Sequence, residues 1–450
     1  MKAFTEPLLS LAGFEEMTKT AEKSSGLISV TGCIDAQKSQ MIYAFGGHRK
    51  NKLIVTFGEQ KAKELYDEYS FFDKEVVYYP SKDVLFYQSD IRGNLLTAER
   101  IRALKAIREQ ERVTLVTTFD ALMNTMAPIE KMWENVLTLE QGQLLDLKEI
   151  QAALIRMGYE KEYQVQTMGQ FSVRGGILDV FPLTEENPIR IELWGDEIDT
   201  IRYFDCESQK SIENTDRVSI YPAAELVLSD EEKAGGIEKL KAEAKRVSDK
   251  LRKQMKTEEA HRVSVMADEL TEEWGELSMY AGMDAFLSYF FDERVGLLDY
   301  FKPSDSLIFF DELTRCTEQG KLTETEFSES MKQRLAMGYI LPGQMNGLFT
   351  EKEIVAKLEK YSCIALGALD NKANGLYQLG SYGIHCQSVS PYNNSFELLI
   401  KDLKRYKKNG YRVILLSGSR TRAKRLSEDI TDQGITCFYT ENYDHELFEG

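Results

Sequence analysis

Long apolar runs are missing from this 450-residue chain. No stretch approaches the roughly 20 residues that a membrane-spanning helix needs. Met1 to Phe14 has neither the basic start nor the apolar core of a secretory signal. A cytoplasmic protein is therefore expected, with no membrane partner. Histidine and cysteine are scarce, at 4 and 6 residues, and Cys33, Cys206, Cys316, Cys363, Cys386 and Cys437 form no CxxC pair. That spacing speaks against both a zinc site and a disulfide framework. Proline is low at 9 residues, and neither repeats nor low-complexity tracts occur. With 42% hydrophobic and 10% aromatic residues, the composition is that of a packed globular chain. Positive charge is in deficit: 56 lysines and arginines face 73 carboxylates, for a formal net charge of −17. Such a field repels a phosphate backbone on average, so broad nucleic-acid binding is not expected. Local basic patches still act, because salt screens charges beyond about 8 Å.

The length is more than one hydrophobic core supports, so several domains are expected. Leu27–Thr31, Leu53–Phe57, Val76–Tyr79 and Val113–Thr117 read as strands, with amphipathic helices at Gln60–Phe72 and Leu95–Ile107 between them. This alternation predicts a mostly parallel sheet with helices on its faces. After Pro128 the pattern changes to a helix near Leu147–Met157 and extended stretches, with hairpin turns predicted at Gly169, Gly175-Gly176 and Gly195-Asp196. Ser229 to about Leu277 reads as one or two charged helices with an apolar stripe of Leu240, Ala244, Val247 and Leu251. Strands Ser306–Phe310 and Cys363–Leu366 follow. A last unit from near Tyr382 has helix Phe396–Lys408, a stop at Gly410, strand Arg412–Leu416 and helix Arg420–Ile430. The expected units are 1–130, 131–215, 216–378 and an incomplete 379–450.

The first strand runs into Gly32-Cys33-Ile34-Asp35-Ala36-Gln37-Lys38-Ser39, which has the length and the Lys-Ser ending of a phosphate-binding loop. Gln37, however, stands where the second glycine belongs. Backbone N–H groups must wrap the phosphates closely there, and a side chain obstructs that approach. Asp311-Glu312, at the end of an apolar strand, has the form of the carboxylate pair that holds Mg²⁺ and orients water. The alternative is a pair of strand-end carboxylates left on a scaffold that no longer hydrolyses nucleotide. Arg420, Arg422, Lys424 and Arg425 begin one helix and Lys401, Lys404, Arg405, Lys407 and Lys408 line another. Both sets read as solvated helix faces.

The longest informative stretch is Gly169-Gln170-Phe171-Ser172-Val173-Arg174-Gly175-Gly176-Ile177-Leu178-Asp179-Val180-Phe181-Pro182, followed by Arg190-Ile191-Glu192-Leu193-Trp194-Gly195-Asp196-Glu197-Ile198-Asp199. This pair of elements resembles the second domain of the damage-recognition protein UvrB, and more closely the matching domain of the bacterial transcription-repair coupling factor (Mfd) family. Val113–Met123 and Ser395–Leu403 resemble the first and third domains of that family. The resemblance implies a fold class of α/β: a split domain with a degenerate P-loop, RecA-like or UvrB-like, an inserted small α+β domain, and a further small α/β domain.

It also implies a function. In the family the UvrB-like second domain binds UvrA and so brings repair proteins to RNA polymerase stalled at damage. Later domains bind the polymerase and translocate on double-stranded DNA with ATP and Mg²⁺, and no cofactor is expected in this part. The candidate UvrA-binding residues are Phe171, Ser172, Arg174, Gly175 and Gly176, with Arg174 matching the second arginine of the family's Arg-Val-Arg-Gly run. Its guanidinium would take an acidic partner group in bidentate fashion; the alternative is a local pair with Asp179. For Phe171 and Phe181 the alternative is a core-facing role. Ser172 replaces the family's first arginine, and Glu160 stands where some members carry a basic residue. The degenerate nucleotide site comprises Gly32, Gln37, Lys38, Ser39, Asp311 and Glu312. Three functional classes follow: a docking scaffold, which the residues favour, an active P-loop ATPase or helicase, and a DNA-binding module.

Overall fold

The computed structural model describes residues 2–45, 49–82, 94–276, 283–369, 375–442 and 444. The expected helix end at Leu277 and the chain's last residue, Gly450, lie outside them. Strands β1 (Gly26–Thr31), β2 (Asn51–Thr56), β3 (Val77–Tyr79) and β4 (Val113–Thr118) open the fold. The chain then leaves through β5 (Leu137–Glu140), β6 (Glu160–Lys161), β7 (Gln170–Arg174), β8 (Ile177–Val180), β9 (Ile189–Trp194), β10 (Glu197–Phe204), β11 (Ser211–Thr215) and β12 (Arg217–Ile220). It returns with β13 (Ser306–Asp311), β14 (Ser362–Gly367) and β15 (Gln378–Gly383).

β1–β4 and β13–β15 make one seven-stranded sheet in the order β15-β1-β14-β13-β2-β4-β3, with every neighbouring pair parallel. The fold class is thus α/β, as expected, and the first domain is split. Its central strands are buried on both faces, which is why β13 reads Ser-Leu-Ile-Phe-Phe-Asp without polar alternation. Along β13, Ile308 and Phe310 enter one core with Leu53, Val55, Leu115 and helix residues Ile101 and Leu104. Leu307 and Phe309 enter the other with Ile28, Val30, Ala62 and Leu65. Two helices not anticipated from the sequence, Lys2–Leu9 and Phe14–Lys23, join that second core through Leu8, Phe14, Met17 and Ala21. Phe14, Met17 and Ala21, three and four residues apart, were the available signal. The sheet includes β15 and so runs past the boundary expected at 378/379.

β6–β11 form a second sheet, ordered β11-β10-β9-β8-β7-β6 and antiparallel except for β6 with β7. Gly175-Gly176 and Gly195-Asp196 turn hairpins as expected. Gly169 does not: its N–H bonds Phe181 O at 2.8 Å and its carbonyl takes the Glu160 N–H at 2.9 Å. Because β6 runs parallel to β7, a crossover and not a tight turn must join them. The two-stranded ribbon β5–β12 closes this unit beyond the expected 131–215 limits.

Asp230–Lys253 and Thr257–Glu276 are the two expected charged helices. A capping box of Ser229 and Glu232 starts the first. Trp274 anchors this pair edge-on against Phe286 at 5.0 Å. In the last unit the helices Phe396–Lys408 and Arg420–Asp432 appear where predicted. Arg412–Leu416 is exposed and in no strand. Its β-branched composition suits a strand, but it forms no ladder with any described strand. Among the described residues no helix is long and apolar enough to cross a membrane.

The units are tied by buried charge. Glu225, on the segment leaving the inserted unit, accepts Nε and Nη2 of Arg100 at 2.7 and 3.0 Å and Nζ of Lys82 at 3.1 Å. Lys82 also reaches Asp284 at 2.8 Å, and Arg100 donates to Pro80 O at 2.6 Å. Burial works to raise the Glu225 pKa, but Arg100 and Lys82 outweigh it and hold the carboxyl down at about 2. A folded value below the ordinary 4.5 means that this stabilisation is complete above pH 4.5 and is lost as pH falls toward 2. Glu225→Gln is expected to lower unfolding free energy by about 3–5 kcal/mol at neutral pH. Urea titrations of both proteins from pH 7 downward would show the gap closing below pH 4.5; a pH-independent gap would remove the ionised carboxylate from the account.

Candidate functional site

The loop after β1 is only three residues long, because the following helix begins at Asp35. Gln37, Lys38 and Ser39 therefore lie inside that helix and not at its mouth. The loop's N–H groups are committed: Gly32 N–H bonds Ala368 O at 3.2 Å and Cys33 N–H bonds Gly367 O at 3.0 Å. The chain beyond β15 covers the loop. Ile384 N–H reaches Thr31 O at 2.9 Å, and Cys386 Sγ donates to Gln37 Oε1 at 2.7 Å. Gly32 has φ +81°, and a Cβ there would stand 2.0 Å from Ile384 O. The glycine serves a close crossing of two backbones, and two of the loop's three N–H groups are spent on Ala368 and Gly367. Asp35 in the first helical turn adds a negative charge where an anion would sit.

Lys38 and the Asp311-Glu312 pair do come together. Lys38 Nζ is hydrogen-bonded to Asp311, to Asp35 at 3.0 Å and to Glu312 at 3.1 Å. Both Lys38 and Asp311 are 2% exposed. Burial opposes the Lys38 charge, but the surrounding carboxylates prevail and hold its pKa above the ordinary lysine value. Glu312 also accepts the Ala368 N–H at 3.0 Å, and Ser39 Oγ donates to Glu68 at 3.3 Å. The lysine that would face phosphates and the carboxylates that would face Mg²⁺ are thus bonded to each other, with Asp311 Oδ2 left buried and without a hydrogen-bond partner. Among the described residues no group of His, Cys, Asp and Glu forms a metal cluster.

The second sheet offers a different surface. One face carries Leu178, Ile191, Ile198 and Ile201 into a core with Leu154 of helix Leu147–Arg156. The opposite face carries charge. Register puts Asp179 opposite Arg190, and Arg190 opposite Arg202. Asp179, 1% exposed, accepts Arg190 Nε and Nη2 at 2.7 and 2.8 Å and Arg174 Nη2 at 2.7 Å. Arg190 also donates to Gln209 at 2.8 Å and lies 4.3 Å over the Phe204 ring. Beside it, Arg202 grips Glu192, with Nη1 3.0 Å from Oε2, and holds that carboxyl below the usual range. The result is a row of three arginines and two carboxylates whose guanidinium planes are set in place before any partner arrives.

This arrangement corrects part of the expected site. Phe171 is 0% exposed and belongs to the core, as its period-two alternative required. Ser172 is 1% exposed and its hydroxyl donates to Tyr163 O at 2.7 Å. Neither side chain reaches a surface. Arg174 does, but it is tethered to Asp179, as its alternative had it. Gly175 and Gly176 form the exposed tip of the β7–β8 hairpin, with Gly175 at φ +60°. Arg190, Glu192 and Arg202 were not among the expected residues. Their alternation with Ile189 and Ile191 marked a half-buried strand, but only strand register shows that they share a face with Arg174.

An α/β scaffold whose split parallel sheet carries an inserted, charge-faced antiparallel domain defines the class, and residues 137–226 match the family model of the UvrB interaction domain. Over most of its length the chain is similar to transcription-repair-coupling factors, in keeping with their amino-terminal region. It is 26% identical over 392 residues to that of Bacillus subtilis (strain 168), covering 86% of this chain and 33% of the relative. It is 26% identical over 433 residues to that of Staphylococcus epidermidis, covering 94% and 35%. With that of Staphylococcus aureus (strain MRSA252) it shares 25% over 435 residues, covering 94% and 35%. The chain spans about a third of the length of the curated relatives it matches.

A lysine held by carboxylates is a structural group, and its removal strands Asp311 as a buried charge. Lys38→Met is expected to cost about 3–5 kcal/mol of stability, read by chemical denaturation. A stability within 1 kcal/mol of wild type would return Lys38 to the role of a ligand-facing residue.

Proposed function

We propose that this chain is a docking module that recruits UvrA, and that its relatives' name describes the process it serves: coupling of transcription to repair. The observation that supports this reading is the arginine row Arg174–Arg190–Arg202, on the open face of the segment that matches the UvrB interaction domain. Guanidinium groups oriented by Asp179 and Glu192, with Arg174 and Arg202 partly exposed, would take acidic groups of a partner in fixed directions. Preorganisation lowers the ordering cost of association. The split α/β domain acts as architecture and hydrolyses no ATP, since Lys38 and Asp311 neutralise one another. RNA polymerase, double-stranded DNA, ATP and Mg²⁺ belong, on this proposal, to other regions of the whole protein.

Titration of purified UvrA against the full 450-residue chain tests the reading. Arg174→Glu and Arg202→Glu are each expected to cost on the order of 2–5 kcal/mol of binding, about thirtyfold or more, with the fold retained. Wild-type affinity in both variants would remove this face from the interface, and turnover of MgATP by the wild-type chain would favour the ATPase reading instead.

A further inference from the structure

Helices Phe396–Lys408 and Arg420–Asp432 concentrate positive charge on a chain that is otherwise acidic. Between Phe396 and Arg425 stand ten lysines and arginines against Glu397 and Asp402, and the second helix then ends with Glu428, Asp429 and Asp432, in a chain that carries −17 overall. The two helices pack on each other through Ile400, Leu403 and Ile430, with Leu399 and Leu426 at the margin. The cations lie outside this contact, as do the exposed Phe396 and Leu398 of the first helix. Lys401, Lys404, Arg405 and Lys408 recur at helical spacing along one helix, and Arg422, Lys424 and Arg425 occupy the first turns of the other; all seven are exposed. Neutralisation is slight. Arg405 pairs with Asp402 at 2.9 Å and Arg420 with Glu441 at 3.2 Å, both at the surface. Lys401, Lys404, Lys408, Arg422 and Arg425 make no ion pair among the described residues.

We propose that this two-helix face docks the phosphate backbone of double-stranded DNA. Ammonium and guanidinium groups repeating about every 5.4 Å along a helix meet successive phosphates without reading bases, so the contact positions the duplex and ignores its sequence. The Ser419 hydroxyl already caps Arg422 N–H at 3.5 Å. The patch therefore works through side-chain charge and needs no helix-end cradle. The acidic remainder of the chain repels DNA and confines it to this unit. An anionic lipid surface would ask for apolar side chains to insert beside the cations. Here Ile400, Leu403 and Ile430 are turned into a core while Phe396, Leu398 and Val413–Leu416 stay exposed, so vesicles are the competing arm of the test.

The test is fluorescence anisotropy of the full chain with a labelled 30-base-pair duplex from 50 to 200 mM salt. Binding should be indifferent to sequence and weaken on the order of a hundredfold across that range, the slope for about four phosphate contacts. Replacing Lys401, Lys404, Arg422 and Arg425 together with glutamine should abolish it without shifting the thermal melting curve. The same change at Lys241, Lys245, Lys250 and Lys253, on helix Asp230–Lys253, should leave it intact. No duplex binding at 50 mM salt, equal binding by the two quadruple variants, or binding to phosphatidylserine vesicles but not to duplex would each overturn the proposal.

Discussion

Everything in this molecule depends on the parallel insertion of β1 between β14 and β15. Leu27 pairs with Cys363 on one side and Gln378 on the other, so strands more than 300 residues apart share one ladder. Such pairing carries a large loop-closure cost, which the doubly buried central strands offset by removing Ile28, Val30, Ile364 and Leu366 from water. Once the sheet closes in this way, residues 119–305 must leave it and return, and the inserted domain becomes a projection from a rigid base.

The same closure accounts for the state of the phosphate loop. β13 lies beside β14 and brings Asp311 under Lys38, while the segment after β15 crosses Gly32 and meets Gln37 through Cys386. A motif that in isolation suggests nucleotide chemistry is filled by the chain's own backbone and charges. Buried ion pairs of this kind are weak evidence for net stability but strongly penalise the loss of either partner.

Function moves outward from there. The inserted sheet is half apolar and half charged because a single helix, Leu147–Arg156, covers one of its faces. The uncovered face holds Arg174, Arg190 and Arg202 in fixed pairs, and the end of the chain holds exposed cations with few local partners. These two surfaces differ in kind. The first is a directional pattern suited to a protein partner, and the second is a diffuse field suited to a polyanion.

Hydrophobic period, glycine turns and helix stops lay open in the sequence, because each is a property of a few neighbouring residues. They were enough for six of the seven strands of the main sheet, the two long charged helices, the hairpins at Gly175 and Gly195, and the loss of the glycine at Gln37. Long-range register was not legible. It decided that β15 belongs to the first sheet, that Gly169 bridges strands without turning a hairpin, and that Phe171 and Ser172 point inward while Arg190 and Arg202 line up with Arg174. It also left Arg412–Leu416 outside any strand, since strand propensity is expressed only when a neighbouring strand supplies a ladder. Local chemistry is written in local sequence, whereas facing and exposure are set by which distant segment arrives alongside.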